Sequence, residues 1–189
     1  TEERSEAASS TIQGRGQVQD IELAADADGR VTAVRARLLA DMGAYLQLVT
    51  PGIPLLGAFL YHGVYDIPAY SFTCQGLFTN LPPTDAYRGA GRPEASYAIE
   101  RAMDALAREI GVSPEEIRRR TYIPSDAFPY DSPAGLVFDS GDYGPTLDRA
   151  LELAKVTELR AEQQRLRDEG SSTQLGIGMC TYVEMCGLA

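Results

Sequence analysis

The stretch "AYRGAGRPEASYAIERAMDALAREIGVSPEEIRRR", residues 86–120, decides the fold. Pro93 suits the first helical position and Gly111 the position just past a helix end, so a helix is predicted over 93–110. Ala95, Ala98, Ile99, Ala102, Met103, Leu106 and Ile110 keep the i, i+3, i+4 spacing of one apolar stripe. Glu100, Arg101, Asp104, Arg108 and Glu109 are assigned to the opposite, wet face. The stripe is rich in alanine and therefore thin, so its neighbour must pack close. In "SPEE", 113–116, Ser113 caps a second helix running to about Arg120, Pro114 fits its first turn and Glu116 completes a capping box.

Upstream, "QVQDIELAAD" (17–26) and "VTAVRARLLA" (31–40) alternate apolar and polar residues around Asp28-Gly29, the signature of a two-residue β-hairpin with one wet face, closed by Gly43. Residues 53–63, "IPLLGAFLYHG", are apolar almost all round and read as a short buried helix, with His62 as a packed core histidine. Residues 69–80 alternate Tyr70, Phe72 and Cys74 against Ser71, Thr73 and Gln75, a strand that Pro82-Pro83 ends. Downstream, 124–144 carries three prolines and no periodicity and reads as a long loop. Residues 145–169 are helical with a change of phase, which predicts a break near Val156-Thr157 with Thr157 as cap. Leu175, Ile177, Met179, Thr181, Val183 and Met185 then alternate as a final strand.

The expected fold class is α+β: a mixed β-sheet with packed helices, of β-β-α-β-α-β type. The expected organisation is a single fragment over 1–189. It comprises a β-β-α-β-α-α core (1–123), the loop 124–144, and a helical stretch with the final strand (145–189). An apolar terminal strand needs a neighbour, and the chain lacks an initiator Met. It is therefore expected to be a slice of a larger protein.

The composition narrows the function. The 189 residues are 44% hydrophobic with a net charge of −10, which speaks against nucleic acid or an anionic membrane surface as the main partner. No apolar run reaches the roughly 18–20 residues of a membrane span, and "TEERSEAASS" has no apolar core of a signal peptide. Cys74, Cys180 and Cys186 make an odd count without a CxxC pair, so buried free thiols are expected rather than disulfides or zinc ligands. With His62 as the single histidine, a histidine-based metal site or a Cys–His nucleophile pair is not expected.

The candidate site is Tyr87, Arg88, Gly89, Ala90, Gly91 and Arg92. Glycines let a ligand approach the main chain, a helix entrance favours anions, and Arg88 and Arg92 add two fixed, fork-shaped cations. The spacing is neither GxxxxGK[ST] nor GxGxxG. The alternative is a glycine-rich turn whose arginines pair with nearby acids such as Asp85 and Glu94.

The 86–120 stretch resembles the molybdenum hydroxylases, that is, the large subunit of aerobic carbon monoxide dehydrogenase and the molybdopterin-binding part of xanthine dehydrogenase and aldehyde oxidase. "TEERSEAASSTIQGR", "DADGRVTAVRARLLADMGAY", "FPYDSPAGLVFDSGDYGPTLDRALELA" and "GIGMCTYVEMCG" resemble the same family in the same order, over nearly the whole chain. The resemblance implies the first half of a molybdenum cofactor-binding domain, with Tyr87–Arg92 beside a molybdenum–molybdopterin cofactor. It implies oxidative hydroxylation of a small molecule in the cytoplasm with water as the oxygen source, and electron exit through iron–sulfur clusters and FAD on other domains or subunits. The implied partners are the rest of the large subunit and the iron–sulfur and FAD subunits.

The departures are informative. Where carbon monoxide dehydrogenases have a copper-binding cysteine this chain has Gly89, and where purine hydroxylases have a ring-packing phenylalanine it has Ala90. The purine enzymes also carry a substrate arginine that finds no counterpart between Arg37 and Arg88. Copper-dependent CO oxidation and xanthine are thus both disfavoured. No catalytic residue is expected within the fragment: the general-base glutamate lies outside it, and Glu184 reads as a polar residue on a strand face. The rival reading is a non-catalytic structural or interaction fragment of the same fold without cofactor.

Overall fold

A computed structural model describes residues 1–186. The chain runs α1 (Arg4–Ser10), β1 (Gln17–Ala25), β2 (Val31–Gly43), α2 (Gly52–Ala58), β3 (Ala69–Phe78), α3 (Arg92–Ile110) and α4 (Pro114–Thr121). It continues through β4 (Tyr130–Asp131), β5 (Val137–Phe138), α5 (Tyr143–Leu153) and α6 (Val156–Asp168). The expected mixed sheet is present: β1 pairs antiparallel with β2, and β2 pairs parallel with β3. A parallel pair needs a crossover, which residues 44–68 supply with α2 on the way.

The alternation along β1 and β2 sorts the two faces. Arg35 and Arg37 stand on the wet side and reach Glu22 and Asp20 of β1. Val34, Ala36 and Leu38 point into the core, and α3 covers part of that face. Ala95 and Ala98 pack with Ala36, Leu60 and Tyr61, so the thin stripe does meet a close neighbour. Ile99, Met103 and Ala107 join Val31, Val34 and Ile117 in the principal core.

Several local expectations are corrected. The hairpin turn is longer than two residues, because Asp26 N–H donates to the Arg30 carbonyl (3.0 Å) and Gly29 takes φ 84° within the loop. The apolar run 53–63 is helical only to Ala58, with Leu55 exposed, and finishes in buried turns around Leu60, Tyr61 and His62. α3 starts one residue early, leaving Pro93 second. Ser113 caps α4 by accepting the Glu116 N–H (3.1 Å). The Glu116 side chain, however, turns to Arg120 (2.8 Å), so the capping box is half made. The 124–144 loop contains a two-stranded ladder, β4 with β5. The break in the long helical stretch falls at Ala154-Lys155, where Lys155 takes φ 51° and caps α6, while Thr157 lies inside the helix. α1, with its own capping box from Glu3 and Glu6, was not foreseen.

Residues 175–185 alternate half-buried and exposed as expected, yet they form no strand ladder. Their anchors are side chains. Glu100 accepts the Thr181 N–H (2.8 Å), Arg118 donates to the Met179 carbonyl (3.5 Å) and Gln163 to the Leu175 carbonyl (2.8 Å). The cysteines are free thiols; Cys74 is half-buried, but Cys180 and Cys186 are exposed rather than buried.

His62 packs in the core as expected, with Nδ1 3.3 Å from the Gly63 carbonyl oxygen and its ring among Tyr130 and Phe138. Burial holds its pKa below the ordinary value, against the raising pull of the Gly63 and Ile67 carbonyls and Asp66. The unfolded chain therefore takes up a proton that the folded chain refuses. This contribution to stability is complete above about pH 6.5 and is lost as the pH falls toward the folded-state pKa. The loss is at most about 1.4 kcal/mol per pH unit for one proton. Between about pH 7.5 and about pH 5.5 the thermal midpoint should fall more steeply for the native chain than for His62→Gln. Parallel slopes would show that another group governs this range.

Candidate functional site

The six candidate residues occupy the turn that leads into α3. Gly89, Ala90 and Gly91 all take positive φ, 96°, 44° and 86°. Such backbone suits glycine and strains alanine. The turn closes on itself, with Ala90 N–H donating to Tyr87 O (2.8 Å) and Arg92 N–H to Gly89 O (3.2 Å). With Pro93 lacking an N–H, the helix entrance presents fewer free donors than the sequence suggested. Side-chain charge therefore carries more of any attraction for an anion.

Each glycine has a local reason. A Cβ on Gly89 would lie 2.6 Å from Pro93 Cγ, and a Cβ on Gly91 would overlap the Ile53 carbonyl oxygen and sit 2.9 Å from the Gly57 nitrogen. Gly57 in turn has no room for a side chain beneath the Gly91 carbonyl, 2.8 Å from where its Cβ would be. The entrance of α3 thus rests directly on α2, backbone against backbone.

The N-terminal segment braces the same turn from the other side. Gln13 bridges to Thr84, and Arg15 donates to the Arg88 carbonyl (2.8 Å), pairs with Glu94 (2.9 Å) and lies over the Tyr87 ring (4.8 Å). The alternative pairing of the arginines with Asp85 and Glu94 is not what forms. Glu94 is taken by Arg15, Asp85 accepts the Ala86 N–H (2.7 Å), and Arg92 Nε lies 2.5 Å from Glu184 Oε1. Glu184 is therefore more than a polar residue on a strand face. Arg88 is exposed and, among the described residues, enters no ion pair of the kind that holds Arg15 and Arg92.

A cleft of about 660 Å³ opens between α3 and the 179–184 segment. Arg88, Gly89 and Arg92 bound it on the loop side, and Tyr97, Cys180 and Tyr182 further along. That volume lies within the ordinary range of small-molecule sites. A larger groove of about 910 Å³ runs between β1 and the other flank of α3, but none of Tyr87–Arg92 lines it.

Beneath the cleft lies a buried polar hub that the sequence reading missed. Glu100 is not on the wet face: its carboxylate meets Arg118 Nη2 at 2.9 Å, and the Arg118 side chain is 0% exposed. Arg118 also approaches Asp104 (3.0 Å) and donates to the Pro114 carbonyl (2.8 Å). The Tyr65 hydroxyl donates to Glu100 and lies 3.1 Å from Thr181 Oγ1. Burial first, then the Glu100 carboxylate, push the Tyr65 phenol well above its ordinary pKa, so it stays a donor. Burial pulls Arg118 downward, but the Glu100 and Asp104 carboxylates hold it charged and the net shift is upward. The signal available was an arginine run on a helix directly following α3, but a helical wheel does not say which acid it meets.

The described residues hold no cluster of three or more His, Cys, Asp or Glu with metal-site geometry. A metal here would come bound to its own organic ligand. The residues do fit one wall of a site for such an anionic group: a guanidinium in no ion pair among the described residues, a turn of two glycines and an alanine, and an adjacent cleft.

A family model described as the molybdopterin cofactor-binding domain matches residues 1–122. The chain is 36% identical, over its full length, to 24% of the 6-hydroxypseudooxynicotine dehydrogenase complex subunit gamma of Paenarthrobacter nicotinovorans. It is 38% identical, over 98% of its length, to 24% of the carbon monoxide dehydrogenase large chain of Hydrogenophaga pseudoflava. The solved structure of quinoline 2-oxidoreductase from Pseudomonas putida 86 superposes with a TM-score of 0.80 at 33% identity, covering 89% of this chain and 22% of that one. The chain thus spans about a quarter of the length of the curated relatives it matches.

Proposed function

The chain belongs to the molybdopterin cofactor-binding domain family, and from that premise we propose that it forms the first part of the cofactor domain of a molybdenum hydroxylase large subunit. The carrying observation is the braced turn Tyr87–Arg92, whose Arg88, in no ion pair among the described residues, borders the cleft. The cofactor, when bound, supplies the oxidation of a carbon centre with water as the oxygen source. This chain's residues do the holding. Arg88 offers its guanidinium fork to an anionic group of the cofactor, Arg15 fixes the turn by its grip on the Arg88 carbonyl, and Gly89 keeps side chains out of the approach. The remaining walls and the general base come from elsewhere in the polypeptide, so these 189 residues alone neither retain cofactor nor turn over.

The substrate reading follows from Gly89, which has no thiolate for copper, and from the relatives. Two of the proteins named above carry 6-hydroxypseudooxynicotine and quinoline in their names, both nitrogen-containing aromatics. We assign a small substrate of that class, with electrons leaving through iron–sulfur and FAD partners. Three free thiols suit the reducing cytoplasm.

The test is the full-length polypeptide purified from a host that makes the cofactor. Molybdenum and pterin should copurify in equal amounts, and quinoline should reduce an added dye while CO does not. Protein that is folded yet free of both molybdenum and pterin would leave only the structural reading standing.

A further inference from the structure

We propose that Glu184 is a positioning residue for the turn Tyr87–Arg92: it holds Arg92 against the wall of the cleft and so leaves Arg88 as the cation that meets the ligand. The inference rests on the reading of this turn as a cofactor wall. It explains why two arginines four residues apart are in opposite states. Arg92 is 18% exposed and paired with Glu184, which is 36% exposed, whereas Arg88 is exposed and unpaired among the described residues.

The Arg92–Glu184 contact is a proximity of charges rather than a directed hydrogen bond. Arg92 Nε is buried and, although 2.5 Å from the carboxylate, it lacks hydrogen-bond alignment. A contact of that kind depends on where the carboxylate is placed. Its placement is set upstream on the same extended segment. Arg118 reaches the Met179 carbonyl, and Glu100 takes the Thr181 N–H. From there the period-two alternation turns Val183 toward the core and Tyr182 and Glu184 outward, where both line the cleft. The acid nearest to Arg92 in sequence, Glu94, is already held by Arg15. Glu184 is therefore the group that decides whether the turn presents one free guanidinium or two.

An arginine-selective dicarbonyl reagent, phenylglyoxal, followed by peptide mapping, reads this directly on the full-length protein, both cofactor-free and loaded. In the cofactor-free protein Arg88 should be labelled about fivefold faster than Arg92, the upper end of what one partly exposed charge pair supplies. Glu184→Gln should bring Arg92 to within about twofold of Arg88, and Glu184→Asp should restore much of the protection. The thermal midpoint should stay the same in all three, which separates positioning from loss of structure. Loading the cofactor should protect Arg88. Arg92 labelled as fast as Arg88 in the unaltered protein, Arg92 still protected in Glu184→Gln, or Arg88 slow before loading would each overturn the assignment of Glu184. Arg88 labelling that loading does not change, with Arg92 responding to Glu184 as described, would instead overturn the cofactor-wall reading on which the assignment depends.

Discussion

Gly91→Ala is expected to destabilise the fold by about 4 kcal/mol or more, a large share of an ordinary total stability of roughly 5–15 kcal/mol. Two costs add. Gly91 has φ 86°, which alone costs an alanine on the order of 1 kcal/mol. The added methyl would also overlap the Ile53 carbonyl oxygen and crowd the Gly57 nitrogen at 2.9 Å. Both are main-chain atoms that cannot rotate away, so α2 and the entrance of α3 would have to separate. Gly111 supplies the control. It has φ 81° but nothing within 4 Å of its missing Cβ, so Gly111→Ala should cost only the backbone share, on the order of 1 kcal/mol. Urea denaturation of the two variants beside the native chain measures both. Equal losses would mean that α2 yields to the turn.

Arg118→Met is expected to cost about 3–5 kcal/mol, because it strands the Glu100 carboxylate in the core. The side chain fits the space but answers none of the bonds to Glu100, Asp104, Pro114 and Met179. Removing the stranded charge as well should help. Glu100→Gln combined with Arg118→Met is expected to be more stable than Arg118→Met alone, since breaking one partner of a buried pair is worse than replacing both. The Thr181 amide, which donates to Glu100, should exchange with solvent faster in the single variant. A double variant no better than the single would show that the carboxylate finds another partner.

The sequence made periodic elements legible and contacts between them much less so. β1, β2, β3 and α3 were readable because one face of each is apolar at the period of its own geometry. The same logic misplaced Glu100. A polar residue beside an apolar stripe was assigned to water, and only the arrival of Arg118 from α4 makes burial affordable. The 175–185 alternation was correct, but what it pairs with was not written in it, since a strand pattern does not distinguish a sheet neighbour from a row of side chains. Lys155 at φ 51° ends a helix without a glycine to announce it. In the candidate site the glycines and arginines were legible as types. That Arg15, far away in sequence, reaches the Arg88 carbonyl and Glu184 meets Arg92 was not.

The reach of Arg15 has a kinetic consequence. Its two partners, Arg88 and Glu94, stand 73 and 79 residues further along the chain, so the clasp has no local precursor and must wait for both ends to be delivered. The β1–β2 hairpin can zip up as soon as its own residues exist, and the parallel β2–β3 register needs only the crossover. Docking of the N-terminal segment then comes late in assembly, and it holds by few bonds. The turn that faces the cleft is accordingly among the last parts to set. A chain caught before that step would carry a finished sheet and an unlatched site.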